Sequence, residues 1–159
     1  MIPPRLPSKD MLAQACSGVV TMPHPVLLVA YELASLHGAR VDLVAQEGMR
    51  ESGMAAELVG DIDRMRTELV RDLDRWVAAN TPQPRGAASL HTETVGMVVD
   101  RIAEFWIAAR TGFEQSVSES NLYHLRHRLS EVCAAYSDLT FEIHTGTRRL
   151  PDFTYSTVA

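Results

Sequence analysis

The chain has 159 residues, which is enough for one domain to bury a sizeable hydrophobic core. Its formal net charge of −5 argues against the broad positive field of a protein that binds nucleic acid or an anionic membrane surface. With 46% hydrophobic and 22% charged residues, the composition is that of an ordinary globular protein, so we expect one domain and neither of those partners.

The N-terminal stretch MIPPRLPSKD lacks the long apolar run of an export signal, and no run of about 18 apolar residues follows it. We therefore expect a cytoplasmic protein. Lys9 is the single lysine among the 15 basic residues, a usage typical of a GC-rich bacterial coding sequence. Cys16 and Cys133 each lie among apolar residues, so we expect core side chains rather than a disulfide.

The apolar residues recur with the period of helices rather than with the alternation of strands. A short helix is predicted from about Ser8 to Val20. The first long helix begins at Pro25, a favourable first-turn residue, and extends to about Ala45. The second long helix covers about Met54 to Ala79.

Two further long helices follow the turn-forming stretch NTPQPRG at 80–86. The third starts near Thr92, which can cap it, and runs to about Phe113. The fourth covers about Glu119 to Thr145 and is closed by Gly146 in a left-handed conformation. We predict an all-α, single-domain, antiparallel bundle of about four long helices plus the short N-terminal helix. Residues 1–7 are expected to form an N-terminal arm and residues 147–159 an extended C-terminal tail.

Several charged residues fall on helix faces that the apolar pattern predicts to be buried. On the first long helix Arg40 lies in the middle of the apolar face and His37 at its border. On the second, Arg66 falls inside the apolar stripe and Asp63 lines one edge. A guanidinium group inside a core needs an acceptor that takes two hydrogen bonds, such as a carboxylate.

The third long helix supplies the candidate carboxylates. Glu93 and Asp100 are seven residues apart, so on one helix they would stack two turns apart on one line. Gly96 lies between them, where it would let another helix or a ligand approach the backbone. We infer a cluster in which two inner arginines converge on two carboxylates, with an aspartate or a histidine nearby: Arg40, Arg66, Glu93, Asp100, Asp63 and His37.

This cluster has two interpretations. It is either an internal salt-bridge network that sets the register of the helices, or the lining of a cleft between them. In the second case the arginines would bind an anionic ligand and the carboxylates would hold a cation or hydroxyl groups.

The stretch HTETVGMVVDRI (91–102) resembles the signature of the domain of unknown function 4254 family, whose members are small bacterial helical proteins. That signature is a Glu-Thr-small-Gly run followed by an Asp-Arg pair on the same helix. IDRMRTELVRDLDRW (62–76) is similar to the family's second helix, with an Ile-Asp start, an inner arginine and a second apolar-Asp pair. LHGAR (36–40) matches more loosely, because the family usually has an acidic pair before the arginine.

The resemblance covers about Leu28 to Phe153 and implies a helical fold with a shared polar cluster, but no established activity. It adds Arg101, the second residue of the Asp-Arg pair, to the residues of interest. The candidate ligand-binding residues are Arg40, Arg66, Glu93, Gly96, Asp100, Arg101, His37 and Asp63.

Other chemistries find little support in the sequence. His124, His127 and Glu131 share one side of the fourth long helix at a spacing that a metal could use, but the apolar face lies about 150° away, so we expect a solvated surface. The chain lacks the Glu-x-x-His pairs of di-iron bundles, and no serine or cysteine has a recognisable nucleophile setting. We predict no metal and no cofactor, and whether the protein is an enzyme stays open.

The third long helix is apolar around most of its circumference. It either buries a second face against another copy of the chain, giving a homo-oligomer such as a dimer, or is wrapped by neighbours within one chain. We favour binding of a small anionic or polar metabolite at the cluster. The alternative is a non-enzymatic homo-oligomeric interaction module in which the cluster is a structural salt-bridge network.

Overall fold

The computed structural model describes residues 5–47 and 53–153, and these form five α-helices and two short strands. The elements in chain order are α1 (Lys9–Cys16), α2 (Pro25–Glu47), α3 (Gly53–Asn80), β1 (Ser89–Leu90), α4 (Val95–Glu114), α5 (Glu119–Thr145) and β2 (Arg148–Arg149). α2 to α5 are the four predicted long helices. The predicted all-α bundle is confirmed.

Local signals place several helix ends. The Ser8 side chain accepts a hydrogen bond from the Met11 amide and caps α1, which ends at Cys16 rather than near Val20. Gly18 explains the early end, because its φ of 101° is incompatible with a continued right-handed helix. Gly146, with φ of 73°, closes α5 in the left-handed conformation that the sequence predicts.

α4 lies at the centre of the bundle and contacts α1, α2, α3 and α5. Its apolar residues are buried on several sides, including Val95, Val99, Ile102, Ala103 and Ile107. The core around α4 is completed by side chains from the other helices: Leu12, Leu27, Leu33, Leu73 and Tyr136. The apolar circumference of α4 is therefore largely covered within one chain.

The two strands form a parallel pair that the sequence did not indicate. Ser89 pairs with Arg148 and Leu90 with Arg149. The Arg85 amide also donates to the carbonyl of Gly146 at 2.9 Å. These bonds fix the start of the predicted C-terminal tail against the loop that precedes α4.

The predicted terminal segments fall partly outside the described residues, namely at 1–4 and 154–159. The described end of the N-terminal arm is packed rather than extended into solvent, because the Tyr136 hydroxyl donates to the Pro7 carbonyl at 2.8 Å and Leu6 is buried. Cys16 and Cys133 are free, and burial raises the pKa of the Cys16 thiol to about 12. No helix in the described part of the chain combines the length and the hydropathy that crossing a membrane requires.

Candidate functional site

The pair formed by Arg66 of α3 and Asp100 of α4 is the centre of the polar cluster. Arg66 Nη2 donates to Asp100 Oδ2 at 2.6 Å and Arg66 Nε donates to Asp100 Oδ1 at 3.2 Å. Their side chains are 22% and 19% exposed. The two parallel hydrogen bonds are the bidentate geometry that the guanidinium fork favours, and they join two helices.

Three more residues extend this pair to α2. His37 is buried and its Nε2 donates to Asp100 Oδ1 at 2.8 Å. Asp63 accepts from Arg66 Nη1 at 2.9 Å, and Arg40 Nε lies 3.4 Å from Asp63 Oδ1. We call these five residues the charged network, and it connects α2, α3 and α4.

Both members of the central pair are charged at neutral pH. Burial by itself would raise the pKa of the Asp100 carboxyl, but hydrogen bonds from His37 and Arg66 and the charge of Arg66 outweigh it and hold the pKa below its ordinary value. Burial would likewise lower the pKa of Arg66, but its hydrogen bonds to Asp100 and Asp63 and their charges raise it. The ion pair therefore persists over the physiological range.

Glu93 does not join this network. α4 is capped by Thr94, whose hydroxyl accepts from the Met97 amide at 3.1 Å, and not by Thr92. Glu93 consequently precedes the helix and does not stack on Asp100; it forms an ion pair with Arg101 instead. The predicted convergence of the inner arginines on Glu93 is wrong.

Gly96 lies at a close contact between α3 and α4. A Cβ atom on Gly96 would lie 2.6 Å from the Val70 carbonyl oxygen and 2.8 Å from Asp74 Oδ1. The Gly96 amide donates to Asp74 Oδ1 at 2.8 Å. The absence of a side chain at Gly96 thus allows close contact between two helices. This role and the approach of a ligand were the two possibilities that the sequence left open.

Sequence reasoning did not select Asp74, although this residue anchors the N-terminus of α4 to α3. Burial raises the pKa of Asp74, and hydrogen bonds from Thr94 and Gly96 offset part of that rise. Asp74 follows Asp63 by eleven residues, or about three helical turns, and so lies on the same edge of α3. The spacing of Asp63 and Asp74 along α3 was the sequence feature that could have identified Asp74 as a polar residue on the same side of the helix.

A cleft of about 390 Å³ opens between α3 and α4 over the Arg66–Asp100 pair. We call it the charged cleft, and its lining residues are Asp63, Arg66, Thr67, Val70, Met97, Asp100, Arg101 and Glu104. Four of the eight predicted ligand-binding residues are among them. His37 lies behind Asp100, and Arg40, Glu93 and Gly96 also lie outside the lining.

A larger cleft of about 500 Å³ adjoins it. This basic cleft lies between the C-terminal half of α3, residues 81–84 and the C-terminal segment 148–153, and it shares Thr67, Val70 and Met97 with the charged cleft. Sequence reasoning missed it because one wall exists through the pairing of β1 with β2.

His124 and His127 of α5 lie on an exposed surface. His127 pairs with Glu131 at 3.3 Å and stacks on Tyr123. In residues 5–47 and 53–153 no group of three or more His, Cys, Asp or Glu side chains is arranged to hold a metal ion.

Comparison with known proteins identifies a family. The model of the family described as "Protein of unknown function (DUF4254)" matches residues 40–151, and the chain belongs to this family. The resemblance seen in the sequence is thereby confirmed. No curated protein and no solved structure matches the chain.

Proposed function

We propose that this member of the DUF4254 family binds a small polar molecule in the charged cleft. The observation that carries the proposal is the cleft itself: a concave space of about 390 Å³ lined by five ionisable side chains from two helices. Binding sites commonly combine such a depression with a few polar groups held in fixed orientation.

The charged network supports this proposal because it holds the floor of the cleft in place. Asp100 is fixed by hydrogen bonds from His37 and Arg66, which come from two other helices. A ligand that contacts Asp100 or Arg66 would therefore meet side chains whose rotamers are already restricted, which lowers the entropic cost of binding.

The pattern of ion pairs favours a neutral or cationic polar ligand over an anion. Arg66 is paired with Asp63 and Asp100, and Arg101 with Glu93. Glu104, in contrast, belongs to none of the ion pairs found among the described residues. Three carboxylates and two arginines line the cleft, so groups that donate hydrogen bonds, such as hydroxyl or amino groups, find more acceptors than an anion finds donors.

The test is a titration of the protein with amines, amino acids, polyols and sugars, followed by backbone amide chemical shifts. We expect saturable shifts at Arg101 and Glu104, which line the charged cleft and not the basic cleft, for at least one of these classes. Glu104→Gln should weaken that binding by about tenfold, because the acceptor loses its charge and a charge-assisted hydrogen bond becomes a neutral one.

The matched control is Glu114→Gln. Glu114 is an exposed glutamate on the same helix, outside the charged cleft, and pairs with Arg110. Equal weakening by both substitutions, or shifts confined to other surfaces, would contradict binding in the charged cleft.

A second candidate function is homo-oligomeric interaction, with the charged network serving as a structural element. Met54, Leu58 and Met65 are exposed, and their spacing of four and seven residues places them on one face of α3. Among the elements of the described chain, α3 contacts α2 and α4 alone. A second copy could cover this apolar face.

Light scattering across a concentration series tests this candidate. We expect a mass that rises towards that of a dimer, and a monomer for Leu58→Glu, because the substitution places a charge on the apolar face. A parent protein that stays monomeric at high concentration would exclude this second function.

A further inference from the structure

We propose that the basic cleft is a second site, next to the charged cleft, which binds an amphiphilic anion: a molecule with one carboxylate or phosphate group on an apolar body. This inference goes beyond the proposed function, because it concerns other charged residues and another class of ligand. The proposal rests on the charges at the rim of the cleft, the apolar residues inside it and the way its outer wall is held.

The rim of the basic cleft carries more positive than negative charge. It contains four arginines, at positions 71, 75, 148 and 149, and two aspartates, at positions 74 and 152. Arg75 is paired with Asp72 and Arg148 with Glu142. Asp74 is already engaged with the N-terminus of α4.

Arg71 and Arg149 are the groups available to an anion. Neither takes part in any ion pair found within residues 5–47 and 53–153, and both are exposed at the rim. They line the cleft from two different elements, α3 and β2, so guanidinium groups of both elements are available to an anionic group bound there. Arginine is well suited to this role because its planar fork binds carboxylates and phosphates with two hydrogen bonds.

The interior of the basic cleft is apolar. Val77 and Ile143 are buried at its floor, and Val70, Met97 and Leu150 also line it. A volume of about 500 Å³ exceeds what a bare inorganic anion needs. An apolar body attached to the anionic group would bury surface against these side chains and gain affinity from it.

The wall that carries Arg149 is held in place. The His91 amide donates to the Arg149 carbonyl at 2.8 Å, and Arg148 Nε donates to Glu142 Oε2 at 2.6 Å. Because backbone bonds and an ion pair fix this segment, the guanidinium of Arg149 is carried on an ordered strand rather than on a free end. The site is thus largely formed before a ligand binds.

Calorimetric titration with a matched series of probes tests the proposal. Octanoate and octyl phosphate should bind, and comparing them identifies which anionic group is preferred. Octanamide has the same apolar body without the charge, and acetate has the charge without the body. We expect each of these two to bind at least about tenfold more weakly than octanoate, since each lacks one of the two contributions.

Two substitutions locate the anion. Arg71→Gln and Arg149→Gln should each weaken octanoate binding several-fold, and added salt should weaken it in the parent because the arginines are exposed. The control is Arg64→Gln, an exposed arginine of α3 that pairs with Asp61 and lies outside the cleft. It should leave the affinity unchanged.

The outcome is separable from that of the charged cleft. Glu104→Gln should leave octanoate binding unchanged, and Arg71→Gln should leave the binding of polar ligands in the charged cleft unchanged. The proposal is overturned if neither octanoate nor octyl phosphate shows saturable binding, if octanamide binds as tightly as both of these anions, or if Arg64→Gln weakens their binding as much as Arg71→Gln does.

Discussion

Asp100 belongs both to the charged network and to the lining of the charged cleft. Its carboxylate is four-fifths buried and accepts hydrogen bonds from His37 and Arg66. Burying a charge is costly, and a buried ion pair often contributes no more to stability than apolar residues of similar size would. Removing one member is different, because the remaining charge stays buried without compensation.

Asp100→Asn should therefore lower the free energy of unfolding by about 2–4 kcal/mol, slightly below the loss for a fully buried pair because solvent still reaches part of both side chains. The asparagine side chain cannot neutralise the charge of Arg66. Its NH2 group is also a donor, so it cannot accept the hydrogen bonds that His37 and Arg66 donate to both oxygens of Asp100. Denaturant titration measures the difference.

Asp72→Asn is the control for this change. Asp72 pairs with Arg75 on the surface, where the side chains are 63% and 67% exposed, so its replacement should cost less than about 1 kcal/mol. If Asp100→Asn costs as little as the control, then the carboxylate is not needed for folding, and its role in ligand binding gains support.

At the scale of elements, the approach of α3 to α4 depends on Gly96. The Val70 carbonyl and Asp74 occupy the space that a side chain would need. The same closeness allows Asp74 to accept the Gly96 amide, one of the amides at the start of α4 that has no partner within the helix. One glycine thus permits both the packing and the cap.

Gly96→Ala should destabilise the protein by about 1–3 kcal/mol, because the atom nearest to the new Cβ atom is the Val70 carbonyl oxygen, and backbone cannot move aside as a flexible side chain can. The higher helix propensity of alanine, about 1 kcal/mol, does not compensate for a displacement of the two helices. Thermal or denaturant unfolding measures the change.

Gly60→Ala is the matched control, since Gly60 lies inside α3 and a Cβ atom there would have no heavy atom within 4 Å. It should stabilise the protein by about 0.5–1 kcal/mol. A Gly96→Ala variant that is stabilised to the same extent would show that α3 and α4 are not in close contact at this point.

At the scale of the whole molecule, two partly buried aspartates make opposite contributions to the dependence of stability on pH. The pKa of Asp100 is lowered in the folded protein, so its contribution is present above about pH 3.9 and is lost as the pH falls towards the folded value. The pKa of Asp74 is raised, mainly by burial, so its carboxylate is protonated at a higher pH in the folded state than in the unfolded state. Asp74 therefore adds stability to the folded protein as the pH falls.

We expect the free energy of unfolding, measured between pH 7 and pH 3, to fall less steeply in Asp100→Asn than in the parent. In Asp74→Asn the fall should be steeper, because the compensating gain is lost. Parallel curves for the two variants would contradict the opposite shifts.

The helices and much of the charged network could be predicted from the amino-acid sequence. Pro25, Gly146 and the apolar periodicity act through neighbouring residues, so they indicate helix positions without knowledge of the fold. The network was predictable for a similar reason: a charge on an apolar face, such as Arg66, requires a partner of opposite charge from a facing helix.

The pairing of particular charged residues, in contrast, depends on the tertiary fold. Thr92 and Thr94 could each cap α4, and Thr94 does so, supported by the hydrogen bond between Asp74 and the Gly96 amide. Glu93 therefore precedes the helix, where it forms an ion pair with Arg101. Both clefts and the pairing of β1 with β2 depend likewise on residues distant in sequence. Periodicity specifies the face of a helix, whereas partner and cavity depend on how the helices are placed relative to one another, and that follows from packing.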